Sequence, residues 1–250
     1  MRRSEGVFVV EGVKLLRAAF TAGATVEAVF VDGAARPGPD VAEVLDTALA
    51  HGARVFDLAP GVLDRVADTV TPQPVLAIVG TPPATLGELS EATFVVVCAD
   101  VRDPGNAGAV IRVADAAGAD AVVCCDGTVD PFNPKTVRAS AGSVLHLPVV
   151  ATGRAEEALR ALGGFGLARV AAVSRGGSPY TEVDLTRRVA LVLGNEANGI
   201  APELEGLLDA RVTVPMAGGA ESLNVSTAAA VLCFEVARTR SNLHAMGEAR

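Results

Sequence analysis

The 250-residue chain has no tryptophan, one tyrosine and eight phenylalanines, so aromatic side chains cannot build most of its core. The chain is nevertheless half apolar, and the core must be assembled mainly from valine, alanine and leucine. A surplus of positive charge is also missing. The formal charge of -8 and the isoelectric point of about 4.9 are unusual for a nucleic-acid-binding protein, although they leave room for a local basic patch.

Cysteine and histidine are few. The four cysteines lie in apolar runs without any C-x-x-C spacing, and the three histidines are far apart in sequence. We therefore expect buried free thiols in a reducing compartment, and no metal site.

Long hydrophobic segments are absent as well. No apolar run reaches the ~18–20 residues that a membrane-spanning helix needs. The N-terminal sequence MRRSEGVFVVEG lacks the apolar segment and small-residue cleavage site of a signal peptide. These features predict a cytoplasmic protein.

Strand and helix patterns alternate along the chain, which predicts an α/β fold with a mostly parallel sheet and helices on both faces. Residues 80–91 (GTPPATLGELSE) have little hydrophobic periodicity and read as a linker between a small α/β domain at 1–79 and a larger domain at 92–250. The predicted strands cover residues 7–10, 26–31, 54–56, 75–79, 94–99, 121–125, 168–173, 189–193 and 211–214. The predicted helices cover residues 12–22, 41–50, 61–67, 110–117, 155–162, 202–208 and 223–238, with a short helical turn near 135–139.

Three polar, glycine-rich loops follow apolar strands in the larger domain. They are VRDPGNAG at 101–108, the end of LVLGNEANGI at 191–200, and the MAGG loop of VTVPMAGGAESLNVS at 212–226. Ligands of α/β proteins usually bind where strands end, so these loops predict a binding site. The G-x-G-x-x-G and G-x-x-x-x-G-K-[ST] nucleotide motifs are absent, and no Ser-His-Asp arrangement is suggested.

Several polar residues in these loops each allow two interpretations. Asn106 is placed to cap the following helix, and Arg112, one turn into it, is either an anion ligand or part of a surface ion pair with Asp103 or Asp115. Polar residues crowd the start of the last helix and serve a ligand or simply cap that helix; they are Glu221, Ser222, Asn224 and Ser226. The loop 126–143 is either a phosphate-binding segment or a solvated loop, and its polar residues are Asn133, Lys135, Arg138, Ser140 and Ser143.

Three segments in fixed order resemble the SpoU/TrmH family of RNA 2′-O-ribose methyltransferases, in the SPOUT superfamily. They are DPGNAGAVIRVADAAGAD, LVLGNEANGI and VPMAGGAESLNVSTAAAVLCFE, and the intervening DPFNPKTVRASAGSVLHLPV is also similar to the family. The resemblance is strong over residues 93–240. It is weaker over 1–79, where RRSEGVFVVEGVKLL and TPQPVLAIV resemble the small substrate-binding domain that many members carry.

The resemblance implies a SPOUT-type parallel sheet whose C-terminal segment forms a trefoil knot, which general topology rules would not predict. It also implies S-adenosylmethionine as cofactor, an RNA substrate that is more often ribosomal RNA than tRNA, and a homodimer with its active site near the subunit interface. The helix at 223–238 is the expected contributor to that interface. No metal is implied.

Residue roles follow from the same resemblance. Arg112 is expected to orient the ribose and its phosphate or to assist deprotonation, and we favour orientation because a guanidinium is a poor base. The other implied catalytic residues are Asn106, Glu196 and Asn224, with Glu196 fixing the loop or Arg112. The implied cofactor-binding residues, mostly through backbone groups, are Leu193, Gly194, Asn195, Val214, Met216, Ser222 and Leu223. The implied RNA-binding residues are Lys135, Arg138 and Ser140, together with a front-domain patch of Lys14, Arg17, Arg2 and Arg3.

Other functions remain open at this point. A tRNA 2′-O-methyltransferase would have the same motifs, and a SPOUT base methyltransferase would share the fold. A non-catalytic RNA-binding or ribosome-assembly protein could have kept the fold, although the four intact catalytic candidates argue against it. Nothing in the sequence separates a housekeeping enzyme from one that confers antibiotic resistance.

Overall fold

The computed structural model describes residues 5–33, 38–66 and 73–248. Strands and helices alternate through the first part of the chain, as predicted. Its elements are β1 (Val7–Glu11), α1 (Val13–Thr21), β2 (Val26–Asp32), α2 (Pro39–Ala50), β3 (Arg54–Leu58), α3 (Val62–Val66) and β4 (Val75–Gly80). The predicted basic residues Arg2 and Arg3 lie outside the described residues.

The first sheet has the order β1-β4-β2-β3. Strand β4 is antiparallel to both of its neighbours, and only β2 and β3 run parallel. On α2, the buried face uses Val41, Val44, Leu45 and Ala48. The spacing of the apolar residues in this helix predicts Leu49 on the same face, but its side chain is 54% exposed and Ala48 is packed in its place.

The second part of the chain continues the alternation with longer buried strands. Its strands are β5 (Phe94–Cys98), β6 (Ala121–Cys124), β7 (Val149–Ala151), β8 (Ala168–Ala172), β9 (Ser178–Pro179), β10 (Val189–Leu193) and β11 (Ala210–Thr213). Its α-helices are α4 (Pro104–Ala116), α5 (Pro134–Ala139), α6 (Ala155–Gly164) and α7 (Val225–Glu248). Four 3-10 helices complete the described elements, at Leu86–Leu89, Ser143–Leu145, Tyr180–Glu182 and Pro202–Leu207.

The second sheet has the order β7-β6-β5-β10-β8-β11-β9, and every pairing in it is parallel. Strands β5 and β10 are buried at every position, which explains their continuous apolar sequences. One face of the sheet packs against α4 and α7, and the other against α6 and the 3-10 helix Pro202–Leu207. The predicted parallel sheet with helices on both faces is confirmed. Because β10 lies between β5 and β8, the ends of β5 and β10 meet at a reversal of strand order, where α/β sheets bind ligands.

Helix α4 begins six residues before the predicted start at 110, so the segment expected to be a loop is its first turns. Asp103 is the N-cap, and its carboxylate accepts a hydrogen bond of 2.8 Å from the Asn106 backbone N–H. Pro104 then occupies the first turn, where its missing N–H costs nothing. Asn106 is therefore inside the helix, and the interpretation of Asn106 as its cap is wrong.

The two parts of the chain share one hydrophobic cluster. Phe8 of β1 contacts Phe132 with ring centroids 5.1 Å apart, and α5 packs on β1. Nearby, the Arg138 guanidinium forms an ion pair of 3.2 Å with Glu11, whose side chain is only 6% exposed. The segment between the two sheets contains the Leu86–Leu89 helix with a capping box between Thr85 and Glu88.

The four cysteines are buried and free, as predicted. Burial raises the pKa of Cys125 and of Cys233 to about 12, so both thiols are protonated at neutral pH. Among the described residues, no helix combines the length and the apolarity needed to cross a bilayer. Within the same residues, His, Cys, Asp and Glu side chains form no group of three or more that could hold a metal ion.

Candidate active site

The loop that follows β10 is closed by its own backbone. The backbone N–H and carbonyl of Asn195 pair with those of Gly199, at 2.9 Å each. The Asn195 side-chain oxygen accepts hydrogen bonds from the N–H groups of Ala197 and Asn198, and its amide donates to the Asp100 carboxylate at 3.1 Å. The loop is thereby fixed internally and tied to the loop after β5.

Gly194 is required by this closure. A Cβ atom at Gly194 would lie 2.3 Å from the Gly199 carbonyl oxygen and 2.8 Å from the backbone nitrogen of Ile200. Both atoms belong to the backbone and cannot rotate away. The glycine at the end of β10 therefore lets the loop fold back against its own start.

A carboxylate and two amides connect the three loops. Glu196 accepts hydrogen bonds from the backbone N–H groups of Arg102 (3.3 Å) and Asp103 (3.2 Å) and from the Asn106 side-chain amide (3.0 Å). The Asn106 side-chain oxygen accepts a hydrogen bond of 2.9 Å from the Asn224 amide. One hydrogen-bonded chain, Glu196–Asn106–Asn224, therefore runs across all three predicted loops.

Asn224 also starts the last helix. Its side-chain oxygen accepts hydrogen bonds from the Ser226 backbone N–H at 2.8 Å and from the Ser226 hydroxyl at 2.7 Å. Its carbonyl accepts the N–H of Ala228 at 2.9 Å. Asn224 therefore fulfils both interpretations left open by the sequence, because one end of its amide caps α7 and the other contacts Asn106.

The pKa of Glu196 is lowered from its ordinary value of 4.5. Burial alone would raise this pKa, but the hydrogen bonds from Asn106 and from the backbone N–H groups favour the charged form and outweigh it. Glu196 is therefore ionised at neutral pH, and its oxygens are occupied by donors. This arrangement suits a residue that holds a loop better than one that accepts a proton.

A cleft of about 550 Å³ opens between these loops at the ends of β8, β10 and β11. Its inner wall is apolar and includes Val212, Leu193 and Leu232. The cleft brings together Asn106, Glu196 and Asn224. It is also lined by every predicted cofactor-binding residue, namely Leu193, Gly194, Asn195, Val214, Met216, Ser222 and Leu223. A cleft of this size, with an apolar inner wall and polar side chains around it, fits an adenosine-like ligand.

Arg112 is separate from this cleft. It is an exposed residue of α4 and does not line the cleft. In the described part of the chain it has no hydrogen-bond or ion-pair partner, so the alternative of an ion pair with Asp103 or Asp115 is wrong. Of the two roles expected for Glu196, fixing a loop agrees with its hydrogen bonds to the first loop, and fixing Arg112 does not.

The predicted RNA-binding residues have different surroundings. Lys14 and Lys135 are exposed. Ser140 is fully buried and its hydroxyl donates to the Val137 carbonyl at 2.8 Å, so it cannot face RNA. Arg138 is paired with Glu11, and Arg17 is paired with both Asp40 and Glu43, at 2.9 and 2.6 Å. Of the front-domain patch expected from the sequence, Arg17 is therefore neutralised by two carboxylates.

Sequence patterns do not reveal two further residues at this site, Asp100 and Arg102. Asp100 adopts a left-handed conformation, with φ of 72°, two residues after the end of β5. Its carboxylate forms a two-pronged ion pair with the Arg102 guanidinium, at 2.8 and 3.0 Å, and accepts the hydrogen bond from Asn195. Backbone strain is often kept at functional sites. The only hint in the sequence is an acidic residue at the end of a buried strand.

Two family models match the chain. Residues 93–234 match the SpoU rRNA Methylase family, and residues 1–77 match the MRM3-like substrate binding domain. Among curated relatives, the chain is 35% identical over 235 residues to the 23S rRNA (guanosine(2553)-2′-O)-methyltransferase RlmP of Bacillus subtilis, covering 94% of this chain and 90% of the relative. It is 31% identical to a 23S rRNA (uridine(2479)-2′-O)-methyltransferase of Streptomyces viridochromogenes, covering 96% of this chain and 85% of that one.

Solved structures agree with these matches. The fold is similar to that of the SpoU methyltransferase AviRb from Streptomyces viridochromogenes, whose crystal structure was determined in complex with the cofactor AdoMet. The TM-score is 0.87 at 30% sequence identity, and the match covers 96% of this chain and 92% of that chain. The similarity therefore includes both sheets.

Proposed function

The chain belongs to the SpoU rRNA methylase family, and from this premise we propose that it methylates a ribose 2′-hydroxyl of 23S-type ribosomal RNA with S-adenosylmethionine. It is an RNA 2′-O-methyltransferase by the same similarity. One observation carries the assignment of the site: three separate segments of the family match converge on a single cleft, joined by the Glu196–Asn106–Asn224 chain. The enzyme would work in the cytoplasm, where its substrate is made.

The cleft suits S-adenosylmethionine in size and lining. Leu193, Gly194, Val214, Met216 and Leu223 all line it, so the adenosine would be held mainly by main-chain hydrogen bonds and apolar contact. The bound cofactor supplies a methyl group already activated by its positive sulfur. The protein then needs to align the ribose hydroxyl with that methyl group and to favour loss of the hydroxyl proton.

The Glu196–Asn106–Asn224 chain would hold the cleft in the shape that this alignment needs. Glu196 fixes the start of α4 to the loop after β10, and Asn224 fixes the start of α7 to the same helix. Each of these residues also holds the end of its own helix or loop in place. A substitution at one of them would therefore misplace two loops. We assign these residues to positioning, and leave proton removal to another group.

We assign Arg112 to the active site of a partner subunit. Within one chain its guanidinium is exposed on α4 and lies outside the cleft, so it would not reach a ribose bound there. In a two-fold dimer that pairs α4 and α7 with their copies, the same side chain could enter the neighbouring cleft. Arg112 would there bind the ribose phosphate and stabilise the developing oxyanion.

Mixing of inactive variants tests this assignment. Arg112→Ala and Asn106→Ala chains should each be inactive alone. After denaturation and joint refolding, half of the dimers would be mixed and each would contain one intact site, so activity should return to about a quarter of the wild-type value. Failure to recover any activity would mean that Arg112 serves the cleft of its own chain.

The dimer itself is supported by α7. Leu232, Cys233 and Val236 of this helix are buried against the sheet, whereas Phe234 is 52% exposed. We expect Phe234 to be covered by the second copy, because aromatic residues are enriched at the buried centres of subunit interfaces. Light scattering should show a dimer for the wild type and a monomer for Phe234→Glu. Leu49→Glu, at an exposed leucine of the front domain, is the control and should remain dimeric.

We also propose the domain organisation and the knot that the family resemblance implies. Residues 1–79 would bind RNA, 80–91 would connect, and 92–250 would form the catalytic domain; the ranges of the two family matches support this division. The position of β10 between β5 and β8, followed by the return of α7 onto α4, supports a knotted path for the C-terminal segment. The knot is tested by tracing the backbone of an experimental structure. A backbone path that becomes a straight line when its two ends are pulled apart contains no knot and would rule out this proposal.

The substrate class is tested by comparing RNAs. Purified enzyme with labelled S-adenosylmethionine should transfer methyl groups to unmodified 23S rRNA and to few or no tRNAs. Asn224→Ala should abolish the transfer, and Glu203→Gln, at an exposed residue outside the cleft, should not change it. Transfer to tRNA alone would favour the alternative tRNA enzyme, and absence of any transfer with normal RNA binding would favour a non-catalytic role.

A further inference from the structure

The charged residues of the cleft leave one cation available for a ligand. Four ionisable residues line the cleft: Arg175, Glu196, Glu205 and Arg211. Glu196 is occupied by three donors, and Glu205 and Arg211 form an ion pair with each other. Arg175 has a single ion pair among the described residues, with Glu221 at 3.7 Å, and both side chains are highly exposed, at 77% and 86%. Such a pair contributes little stability and is easily exchanged for a ligand.

Arg175 and Glu221 belong to different loops at the mouth of the cleft. Arg175 lies in the loop between β8 and β9, and Glu221 directly precedes the cleft residue Ser222. The base of the first loop is held in place, because the Thr213 hydroxyl donates to the Ser174 carbonyl at 3.3 Å and the Val173 N–H donates to Val212 at 2.9 Å. A positive and a negative side chain therefore face each other beside the cleft, whose inner wall is apolar.

We infer that Arg175 and Glu221 form the subsite for the amino-acid end of the cofactor, with Arg175 binding the α-carboxylate and Glu221 the α-ammonium group. This inference rests on the proposed S-adenosylmethionine site. An α-amino acid carries both charges on one carbon, so it can replace the loose Arg175–Glu221 pair with two charge-assisted hydrogen bonds. The apolar inner wall would meanwhile hold the adenosine. Arg175 is thus a specificity residue that distinguishes the full cofactor from an adenosine lacking the amino acid.

Two ligands that differ only in this end provide the test. S-adenosylhomocysteine has the amino-acid group, and 5′-methylthioadenosine lacks it. Calorimetry should show that Arg175→Gln weakens binding of S-adenosylhomocysteine about tenfold to a hundredfold, the range expected for a lost hydrogen bond to a charged group. Binding of 5′-methylthioadenosine should stay within about twofold of the wild-type value.

Further variants separate a subsite from a general effect. Arg175→Lys should recover part of the affinity for S-adenosylhomocysteine, and Glu221→Gln should weaken that ligand selectively but by a smaller factor. Arg160→Gln removes the same charge from an exposed position of α6, away from the cleft, and should change neither affinity.

The possible results are distinct. An Arg175→Gln variant that keeps wild-type affinity for S-adenosylhomocysteine, or that loses both ligands equally, overturns the subsite. The inference is also overturned if this variant loses only RNA affinity, which would make Arg175 an RNA contact. A wild-type protein that binds neither ligand overturns the proposed function itself, and with it the subsite.

Discussion

At the scale of single residues, the site depends on how many donors surround one carboxylate. Both oxygens of Glu196 accept hydrogen bonds, and all three partners are N–H donors. A glutamine at this position would offer one oxygen and one NH₂ group, and the NH₂ group cannot accept from a donor. The negative charge of Glu196 is therefore structural: it holds the loop after β10 against the start of α4.

Glu196→Gln should lower kcat/KM about tenfold, because one hydrogen bond to a charged acceptor, partly screened by water, is lost. Steady-state methyl transfer measures this change. Glu203→Gln is the matched control on the neighbouring 3-10 helix, and an equal loss in the control would show that charge near the cleft matters rather than the bonding of Glu196.

The pH dependence of this contribution has a definite sign. Because the folded-state pKa of Glu196 lies below 4.5, its stabilising effect is fully present above that pH and is lost as pH falls through the lowered pKa. The pH–rate profile of the wild type should therefore show no inflection from Glu196 between pH 4.5 and neutrality. An inflection in this window that disappears in Glu196→Gln would mean that Glu196 takes up a proton during catalysis.

The sequence predicts some residues of the site better than others. All seven residues that the family resemblance implies as cofactor contacts line the cleft, because apolar runs and glycines mark the strand ends and the resemblance supplies the motifs between them. Ser140, Arg138 and Arg17 are predicted on an RNA-facing surface, yet one is buried and two are paired with carboxylates. The carboxylates that pair with the two arginines are far away in sequence, as Glu11 is from Arg138. The local sequence pattern therefore cannot reveal these ion pairs.

At the scale of elements, the first residue of the loop after β10 cannot carry a side chain without a steric clash. The backbone of Gly199 approaches Gly194 too closely for any Cβ atom. The same kind of restriction operates at the crossing of α4 and α5, where a Cβ on Gly108 would lie 2.5 Å from the Thr136 carbonyl oxygen. Glycines in these motifs therefore permit close packing of backbone against backbone.

Gly194→Ala should weaken binding of S-adenosylhomocysteine at least about tenfold, because the loop that lines the cleft must shift to remove the clash. Gly218→Ala is the matched control in the neighbouring loop, since nothing lies within 4 Å of the position that its added methyl group would take, and no unusual φ is required there. Calorimetry on both variants gives the answer. Equal affinities for the two variants would contradict the proposed role of the loop.

Element boundaries are predictable where apolar runs are long and less so elsewhere. The prediction of β10 at 189–193 is confirmed, because its five apolar residues form a continuous run. Strand β7 is not predicted, since three residues at the edge of a sheet give too short a pattern. The predicted start of α4 is too late because Gly105 and Gly108 interrupt the apolar periodicity, although Asp103 and Pro104 together signal a helix start.

At the scale of the whole molecule, the two matched regions behave as one packed body. A single cluster of buried residues includes Phe8 and Val10 of the front sheet and Ile111 and Leu191 of the second. The antiparallel pairings of the front sheet and this shared core could not be predicted from the sequence, because both depend on contacts between distant segments. The segment between the two parts has the composition of a linker, which suggests separate domains. In the structure, however, the apolar surfaces of the two parts face each other.

The shared core predicts cooperative unfolding. Scanning calorimetry should show one transition for the wild type. Phe8→Ala removes a fully buried ring at the contact with Phe132 and should lower the stability by about 3–5 kcal/mol, shifting that one transition to lower temperature. Two separate transitions in the wild-type protein would show that the parts fold independently.

The main proposal is that the cleft transfers a methyl group from S-adenosylmethionine to a ribose oxygen of ribosomal RNA. Mass spectrometry of nucleosides from 23S rRNA, treated with the purified enzyme and a deuterium-labelled methyl donor, tests it without intermediate assumptions. We expect a single kind of labelled 2′-O-methylnucleoside, present with the wild type and absent with Asn106→Ala. A label on a base, or no label on RNA that the protein binds, would contradict the proposal.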